Sequence, residues 1–117
     1  MVVPKKARRL GKSASNQKAI LKNLAISLFE NGRITTTVTR GKYLRGYVDR
    51  LIIFAKKGDL ASRRQCLKTI DNVDAVKKLF DEIGPAVYER TSGFTRIIKS
   101  NNRLGDGAEM VIVELIR

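Results

Sequence analysis

The C-terminal stretch of the chain, from Gly93 onward, has the composition of a β-hairpin. Residues 94–100 and 110–116 are rich in strand-forming side chains, and residues 101–109 between them are mostly turn formers. The first strand has no clean apolar face, whereas the second is apolar almost throughout. A two-stranded ribbon is only marginally stable in water. The hairpin therefore needs a third strand or a covering layer of helices, which the upstream chain must supply.

A third strand and a first helix are both indicated upstream. Residues 34–38 form a β-branched run typical of a short strand. The helix before it has Ser13 or Ser15 as its expected cap and Gly32 as its expected end. Its apolar residues fall on one half of the helical wheel, which predicts a core face made of Ile20, Leu21, Leu24, Ala25, Leu28 and Phe29.

A second helix is predicted from Thr39, its expected cap, to about Lys57, with Gly58 as its stop. Gly41 and Gly46 lie inside it, and each costs about 1 kcal/mol relative to Ala in a helix interior. The first two turns of the helix would then have to be stabilised either by packing or by a phosphate that approaches closely. The sequence does not decide between these two explanations. The predicted core face comprises Leu44, Tyr47, Val48, Leu51, Ile52, Phe54 and Ala55.

Two further helices are predicted, residues 60–70 capped by Asp59 and residues 73–83 capped by Asn72. Gly84-Pro85 is expected to break the chain, with Pro85 opening a short helical turn. The second of these helices should turn Val76, Leu79, Phe80 and Ile83 inward. Acidic residues cluster in this region and are expected to face away from any polyanion, namely Asp71, Asp74, Asp81 and Glu82.

This order of elements predicts an α+β fold of two layers. A small mixed three-stranded sheet, made of one short strand and the C-terminal hairpin, would be covered by about four helices. Residues 1–13 are predicted to be an extended basic arm, of which residues 1–12 are expected to be mobile without RNA. A merely solvated terminus and a transit peptide are the competing interpretations, and the transit peptide is the weaker. The length prior gives a single domain, residues 1–117.

Charge is the unusual quantity in the composition. The chain has 24 Lys and Arg against 11 Asp and Glu, a formal net charge of +13. Such an excess repels itself unless a polyanion neutralises it, so nucleic acid or an anionic membrane surface is the expected partner class. No stretch approaches the ~18 consecutive apolar residues of a membrane span, and we expect no membrane partner.

Catalysis has no candidate site in the sequence. Without His there is no nucleophilic triad, and with one cysteine, Cys66, there is no zinc set or internal disulfide. Residues 105–107, Gly-Asp-Gly, lack the helix and Lys-Ser/Thr of a phosphate cradle and predict a turn. Phe94 is the one aromatic residue on its strand. We assign it to the core in preference to a role as a lone residue that stacks on an RNA base. We expect no enzyme activity, metal, cofactor or small-molecule substrate.

The basic residues are the one group in the sequence whose chemistry indicates a function, namely binding to a polyanion. Each Lys or Arg that meets a phosphate releases condensed counterions, which gives a sequence-independent affinity that falls steeply with salt. Charge alone does not distinguish RNA from DNA, so an architectural DNA-binding protein is the alternative hypothesis. An RNA-modifying enzyme that docks through basic patches is a weaker one, because the sequence has no cofactor motif or general base.

Four blocks of the sequence carry a family resemblance. They are Arg33-Ile34-Thr35-Thr36-Thr37, then Ala55-Lys56-Lys57-Gly58-Asp59-Leu60 with Arg63-Arg64-Gln65, then Lys78-Leu79-Phe80 with Glu82-Ile83-Gly84-Pro85, and finally Gly93-Phe94-Thr95-Arg96-Ile97 with Arg103-Leu104-Gly105-Asp106-Gly107-Ala108-Glu109-Met110. On these blocks the chain resembles, nearly end to end, the L17 family of bacterial large-subunit ribosomal proteins. At the N-terminus it departs from the family, with Val2-Val3 and Asn16-Gln17 at positions where Arg and His are typical.

The resemblance implies a two-layer α+β fold that binds large-subunit ribosomal RNA near the exit of the nascent-chain tunnel. It also implies neighbouring large-subunit proteins as partners and a cytoplasmic ribosome as the location, ahead of an organellar one. RNA contacts are predicted at Lys5, Lys6, Arg8, Arg9, Lys12, Lys18, Lys22, Arg33, Lys42, Arg45, Arg50, Lys56, Lys57, Arg63, Arg64, Arg96 and Arg103.

Overall fold

The computed structural model describes residues 14–91 and 93–116. The predicted basic arm and the proposed Ser13 cap lie outside these residues. The helices are α1 (Ala14–Asn31), α2 (Val38–Lys57), α3 (Leu60–Ile70), α4 (Val73–Lys78), a π-helical segment (Leu79–Ile83) and the short α5 (Gly84–Ala86). The strands are β1 (Arg33–Thr37), β2 (Thr95–Lys99) and β3 (Met110–Leu115). The predicted α+β architecture is confirmed.

The three strands form one sheet in the order β1-β3-β2, and both pairings are antiparallel. The expectation of a mixed sheet was wrong. β3 is the most apolar strand and takes the central position, where the Cα partner of Val113 is Ile34 on one side and Ile97 on the other. β1 and β2 both run opposite to β3, so they share a direction without pairing with each other.

The faces of β3 differ in burial, as its twofold side-chain period requires. Val111, Val113 and Leu115 are buried under the helices, whereas Met110, Ile112 and Glu114 alternate with them and are only half-buried. The apolar run that the sequence shows along β3 therefore serves both the packed face and the open face. α2 contacts all three strands and both α1 and α3, so it lies at the centre of the helical layer.

Most of the predicted helix ends are confirmed. Gly32 and Gly58 follow α1 and α2 with positive φ angles of 84° and 67°, a conformation that Gly adopts without steric cost. Asp59 accepts a hydrogen bond from the Ser62 backbone N–H at 2.8 Å, and Asn72 accepts one from that of Ala75 at 2.9 Å. These side chains satisfy backbone donors that the first helical turn leaves unpaired.

The predicted Thr39 cap of α2 was wrong. The helix begins at Val38, directly after β1, and the flanking Thr37 is extended and makes no side-chain cap hydrogen bond. The Val38 backbone N–H instead donates to the Glu109 carbonyl at 3.0 Å. The hairpin loop thus satisfies one of the first N–H groups of the helix, which no local sequence pattern could indicate.

The expected break at Gly84-Pro85 was also wrong, because the helical path continues through it. α4 widens into the π-helical segment, and Gly84 keeps a right-handed conformation with φ −56° and ψ −53°. A Cβ at Gly84 would lie 3.1 Å from the Cβ of Ala55, so its missing side chain lets this segment pack closely on the end of α2. Pro85 occupies the first turn of α5, where its missing N–H costs little.

The core lies between the sheet and the helical layer. Leu21, Leu28 and Phe29 of α1 and Phe94 before β2 are all buried, which confirms Phe94 as a core residue. Tyr47 and Phe54 of the predicted α2 core face are only half-buried. The other buried apolar side chains of the described residues are Ala25, Leu44, Val48, Leu51, Ile52, Ala55, Cys66, Ile70, Ala75, Val76, Leu79, Phe80, Ile83, Val87, Val111, Val113 and Leu115.

Gly41 and Gly46 lie in different surroundings, so their substitution by Ala should have opposite effects on stability. A Cβ at Gly41 would lie 2.8 Å from the Cγ2 of buried Val111, whereas at Gly46 nothing lies within 4 Å. We expect Gly41→Ala to lower the free energy of unfolding by about 1–3 kcal/mol through overpacking. Gly46→Ala should raise it by about 0.5–1 kcal/mol through helix propensity. Urea titrations of both variants check this, and equal effects would contradict the close contact between α2 and β3.

The thiol of Cys66 should be inert in the native protein. Its side chain is fully buried, and burial raises the pKa of the thiol to about 11. At pH 8 this shift lowers the thiolate fraction by about a hundredfold, and burial blocks access as well. We expect an aromatic disulfide reagent to modify Cys66 rapidly in urea and only through opening of the fold in buffer. Equal rates in the two conditions would mean that α3 does not pack as described.

Candidate nucleic-acid interface

The cationic side of α2 is divided into two flanks. At 100° per residue, Arg45 and Arg50 point about 140° apart around the helix, and both are exposed. Arg45 lies near Asp49, which interacts with Phe94 and Thr95 at the start of β2, and Lys42 is about 60° from Arg45 around the helix. Arg50 lies on the flank next to α3, where it shares a depression with Thr69. The second helix therefore presents charge to two different surfaces rather than one.

The first surface is a groove between α1, α2 and α3, which we call the Tyr47 groove. Its α1 wall holds Lys18 and Lys22, its α3 wall holds Lys68, and Tyr47 of α2 lies between them. The groove is open and encloses about 580 Å³. Among the described residues, its lining is Lys18, Ala19, Lys22, Tyr47, Gln65, Lys68 and Thr69. Three lysines and one tyrosine thus line the same groove, and none of its described lining residues is a carboxylate.

Two further depressions share lining residues with this groove. One is lined by Tyr47, Arg50, Leu51, Phe54 and Thr69. The other includes Arg64 and Lys68, with Asp71 at its edge. Asp71 was expected to face away from the polyanion with its acidic neighbours, and that expectation does not hold for it. Its left-handed conformation at the end of α3, with φ 53°, places it beside the basic surface.

The second surface lies where α2 meets β2. Lys42 and Arg45 are exposed there, and Asp49 is half-buried between this flank and the sheet. Burial raises the pKa of the Asp49 carboxyl, while the charge of Arg45 and the nearby Phe94 backbone and Thr95 hydroxyl act to lower it. Arg45 therefore faces one carboxylate of its own chain, whereas no carboxylate lines the depression that contains Arg50.

Lys56 is held against the protein. Its Nζ donates a hydrogen bond to the Arg90 carbonyl and lies 5.2 Å from the centre of the Phe94 ring. The ammonium thus ties the segment after α5 to the end of α2. Lys57 is looser, with its Nζ 5.9 Å from the ring centre of Phe54. Of these two predicted RNA contacts, Lys57 is therefore the one whose ammonium is more available to a phosphate.

Three predicted contacts on the sheet and hairpin are balanced by carboxylates. Arg33 and Arg96 each lie 3.8 Å from a carboxylate oxygen of Glu114, which stands between them on the central strand. Exposed ion pairs of this length contribute little to stability. The Glu114 carboxylate nevertheless cancels one of the two positive charges that Arg33 and Arg96 carry.

In the hairpin loop, Arg103 holds Asp106 through two hydrogen bonds, Nε to Oδ1 at 3.0 Å and Nη2 to Oδ2 at 2.6 Å. This pairing keeps the pKa of Asp106 far below its usual range. The Ala108 backbone N–H also donates to Asp106 at 3.1 Å, so the predicted turn at residues 105–107 is an ordered loop. The Arg103 guanidinium is therefore already paired within the loop.

The remaining predicted contacts on the described residues lie on α1 and α3. Lys18 is exposed, Lys22 is half-buried in the groove wall, and Arg64 is exposed beside Lys68. Arg63 turns the other way, with its guanidinium carbon 5.4 Å from the ring centre of buried Phe80. Lys5, Lys6, Arg8, Arg9 and Lys12 lie outside the described residues.

Of the seven described residues that line the Tyr47 groove, only Lys18 and Lys22 were among the predicted RNA contacts. Tyr47 was assigned to the core because it falls on the apolar side of α2, but it sits at the margin of that side. Lys68 was expected to continue the basic surface with Arg63 and Arg64 but was not among the predicted RNA contacts, although its spacing of four from Arg64 places both on one face of α3. Neither residue has a short motif that would single it out, because the groove exists only when three helices pack.

Other kinds of site find no support in the part of the chain that the structure describes. Across residues 14–91 and 93–116, no group of three or more acidic, cysteine or histidine side chains could hold a metal ion. No helix in the same ranges is long and apolar enough to cross a membrane.

A comparison with protein-family models matches the chain to a known family. The model described as ribosomal protein L17 matches residues 20–116. The match includes α2, α3 and the whole sheet, and it contains Tyr47 and Lys68. It begins inside α1, so it does not extend to the basic arm or to Lys18.

Proposed function

Since the chain belongs to the ribosomal protein L17 family, and is thus a structural protein of the large ribosomal subunit, we propose that it binds and stabilises large-subunit ribosomal RNA near the exit of the nascent-chain tunnel. Neighbouring large-subunit proteins are its further partners. The ribosome in question is the cytoplasmic one. The proteins of this family are structural, and the role proposed here requires no catalytic step.

The observation that carries this proposal is the cluster of uncompensated cations on the face formed by α1, α2 and α3. Lys18, Lys22 and Lys68 line the Tyr47 groove, where none of the described lining residues is a carboxylate, and Arg50 lines the adjoining depression. None of the ion pairs found among the described residues involves these four side chains. Charges left unpaired in a chain of net charge +13 are available to displace counterions from a phosphate backbone.

The predicted contacts divide into two groups of unequal weight. Lys18, Lys22, Lys42, Arg45, Arg50, Lys57 and Arg64 are the primary contacts in this proposal, together with the arm residues Lys5, Lys6, Arg8, Arg9 and Lys12. Lys56, Arg63, the strand residues Arg33 and Arg96 and the loop residue Arg103 are already engaged by the protein. They contribute to the positive field around the RNA, and their direct contacts are secondary.

Nuclease protection separates this function from its main rival. The tagged chain is recovered from its own cells at moderate salt, treated with a nuclease that degrades RNA and DNA, and the protected fragments are sequenced. We expect fragments of large-subunit ribosomal RNA. Protected DNA fragments of mixed sequence would instead support an architectural DNA-binding protein, and would overturn the proposal.

A further inference from the structure

We propose that the Tyr47 groove binds an unpaired nucleotide of RNA, with the base stacked on Tyr47 and its flanking phosphates held by Lys18, Lys22 and Lys68. This inference rests on the proposed function and goes beyond it. Ribosomal RNA binding in general requires only positive charge. A groove with an aromatic ring inside it requires a base that has left its helix.

The aromatic ring is the first step of the argument. Tyr47 lines both the main groove and the adjoining depression, and it is half-buried, so its ring is supported by the core and still reaches solvent. A ring fixed in this way loses little freedom on binding, and base–aromatic stacking tolerates any sequence because every base has a π-face. Phe54, two helical turns further along α2, lines the far end of the adjoining depression.

The placement of charge is the second step. The cations stand on two walls, Lys18 and Lys22 on α1 and Lys68 on α3, and the rest of the described lining, which includes Tyr47 of α2 and Gln65 and Thr69 of α3, is uncharged. Phosphates carry the negative charge of a nucleotide at its edge, and the base is neutral, so the lining matches that distribution. Burial raises the pKa of the Tyr47 hydroxyl, so the hydroxyl stays neutral at physiological pH and does not repel phosphate.

Other occupants fit this lining less well. A paired RNA helix presents phosphates and hydroxyls to a protein, and its stacked bases cannot reach an aromatic ring inside a groove. The basic arm of the same chain has five cations and no acid in residues 1–13, so the lysines of the groove would repel it. An acidic peptide would satisfy the lysines and leave Tyr47 without a specific role.

The test uses two RNA hairpins that differ only in one bulged nucleotide. In the bulged hairpin that nucleotide is 2-aminopurine, a fluorescent base that is quenched when it stacks. We expect the full-length chain to bind the bulged hairpin more tightly than the paired one and to quench the fluorophore. Tyr47→Leu should reduce this preference roughly 5- to 100-fold and leave affinity for the paired hairpin unchanged. Tyr47→Phe should behave like the parent.

Tyr88 provides the matched control, because it is an exposed tyrosine outside the groove. Tyr88→Leu should keep both the preference and the quenching. If the parent binds both hairpins equally, or binds the bulged one without quenching, the nucleotide site is overturned while the RNA-binding function stands. This outcome does not depend on how the Tyr47 variants fold. If the parent binds neither hairpin, nor ribosomal RNA, the proposed function itself fails.

Discussion

Phe94→Ala is expected to lower the free energy of unfolding by about 3–5 kcal/mol, the usual cost of removing a large buried aromatic side chain. Phe94 is fully buried between the helices and the sheet. Its carbonyl accepts a hydrogen bond from the Ile116 backbone N–H at 3.0 Å, so the residue also fixes the end of β3. Its ring carries the Lys56 ammonium at 5.2 Å, and loss of the ring removes that support.

Urea titration monitored by circular dichroism measures this change. Leu104→Ala is the matched control, because Leu104 is a large apolar residue with 95% of its surface exposed, and it should change the free energy of unfolding by less than about 0.5 kcal/mol. A Phe94→Ala variant as stable as the parent but impaired in RNA binding would contradict the core assignment. It would make Phe94 the lone stacking residue that the sequence also allowed.

Arg45→Ala combined with Arg50→Ala is expected to weaken binding to a ribosomal RNA fragment roughly 10- to 100-fold, because charge-assisted hydrogen bonds to phosphate are among the stronger contacts. Both arginines project from a helix that Leu44, Val48 and Leu51 already fix in the core. Only side-chain freedom is then lost on binding, so each contact retains more of its Coulomb energy than one made by a segment that must first be ordered.

The comparison is with Arg8→Ala combined with Arg9→Ala in the arm. That pair should weaken binding less, and each pair should lower the slope of log affinity against log salt by up to about two. Titrations at several salt concentrations measure both quantities. A control pair on the acidic side, Lys77→Ala with Glu82→Ala, keeps the net charge and should change neither. If the arm pair is the more damaging, or the α2 pair changes nothing, the arm is the main anchor.

The single Arg45 and Arg50 variants carry additional information, because the two residues serve different surfaces. Loss of Arg50 should affect RNA contacts beside the Tyr47 groove, and loss of Arg45 those along β2. Residues on separate surfaces with no shared partner usually contribute additively. Binding energies that add would therefore support two RNA contacts, one on each flank of α2.

The elements of this fold could be predicted because their signals are local. Asp59 and Asn72 cap helices through side chains that act three residues away, and Gly58 ends α2 in a conformation that favours Gly. β3 could be recognised from its apolar β-branched run alone. Such features depend on a few neighbouring residues, so the sequence contains all the information that they require.

The features that escaped prediction depend on contacts between distant parts of the chain. Gly41 allows α2 to approach Val111, seventy residues away in the sequence. The N–H of Val38 pairs with the hairpin loop, and Glu114 pairs with arginines on both neighbouring strands. The split of the α2 cations follows from helical geometry and could have been worked out. The presence of Lys22, Tyr47 and Lys68 in one groove could not, because it depends on how α1 and α3 pack.

Sedimentation tests the central claim most directly. The tagged chain, expressed at its natural level, is followed through a sucrose gradient of cell extract at moderate salt. As a structural protein of the large subunit it should migrate with large subunits and intact ribosomes, and it should leave them only when high salt weakens its phosphate contacts. A chain that stays at the top of the gradient at moderate salt, while the ribosomes remain intact, would contradict the claim.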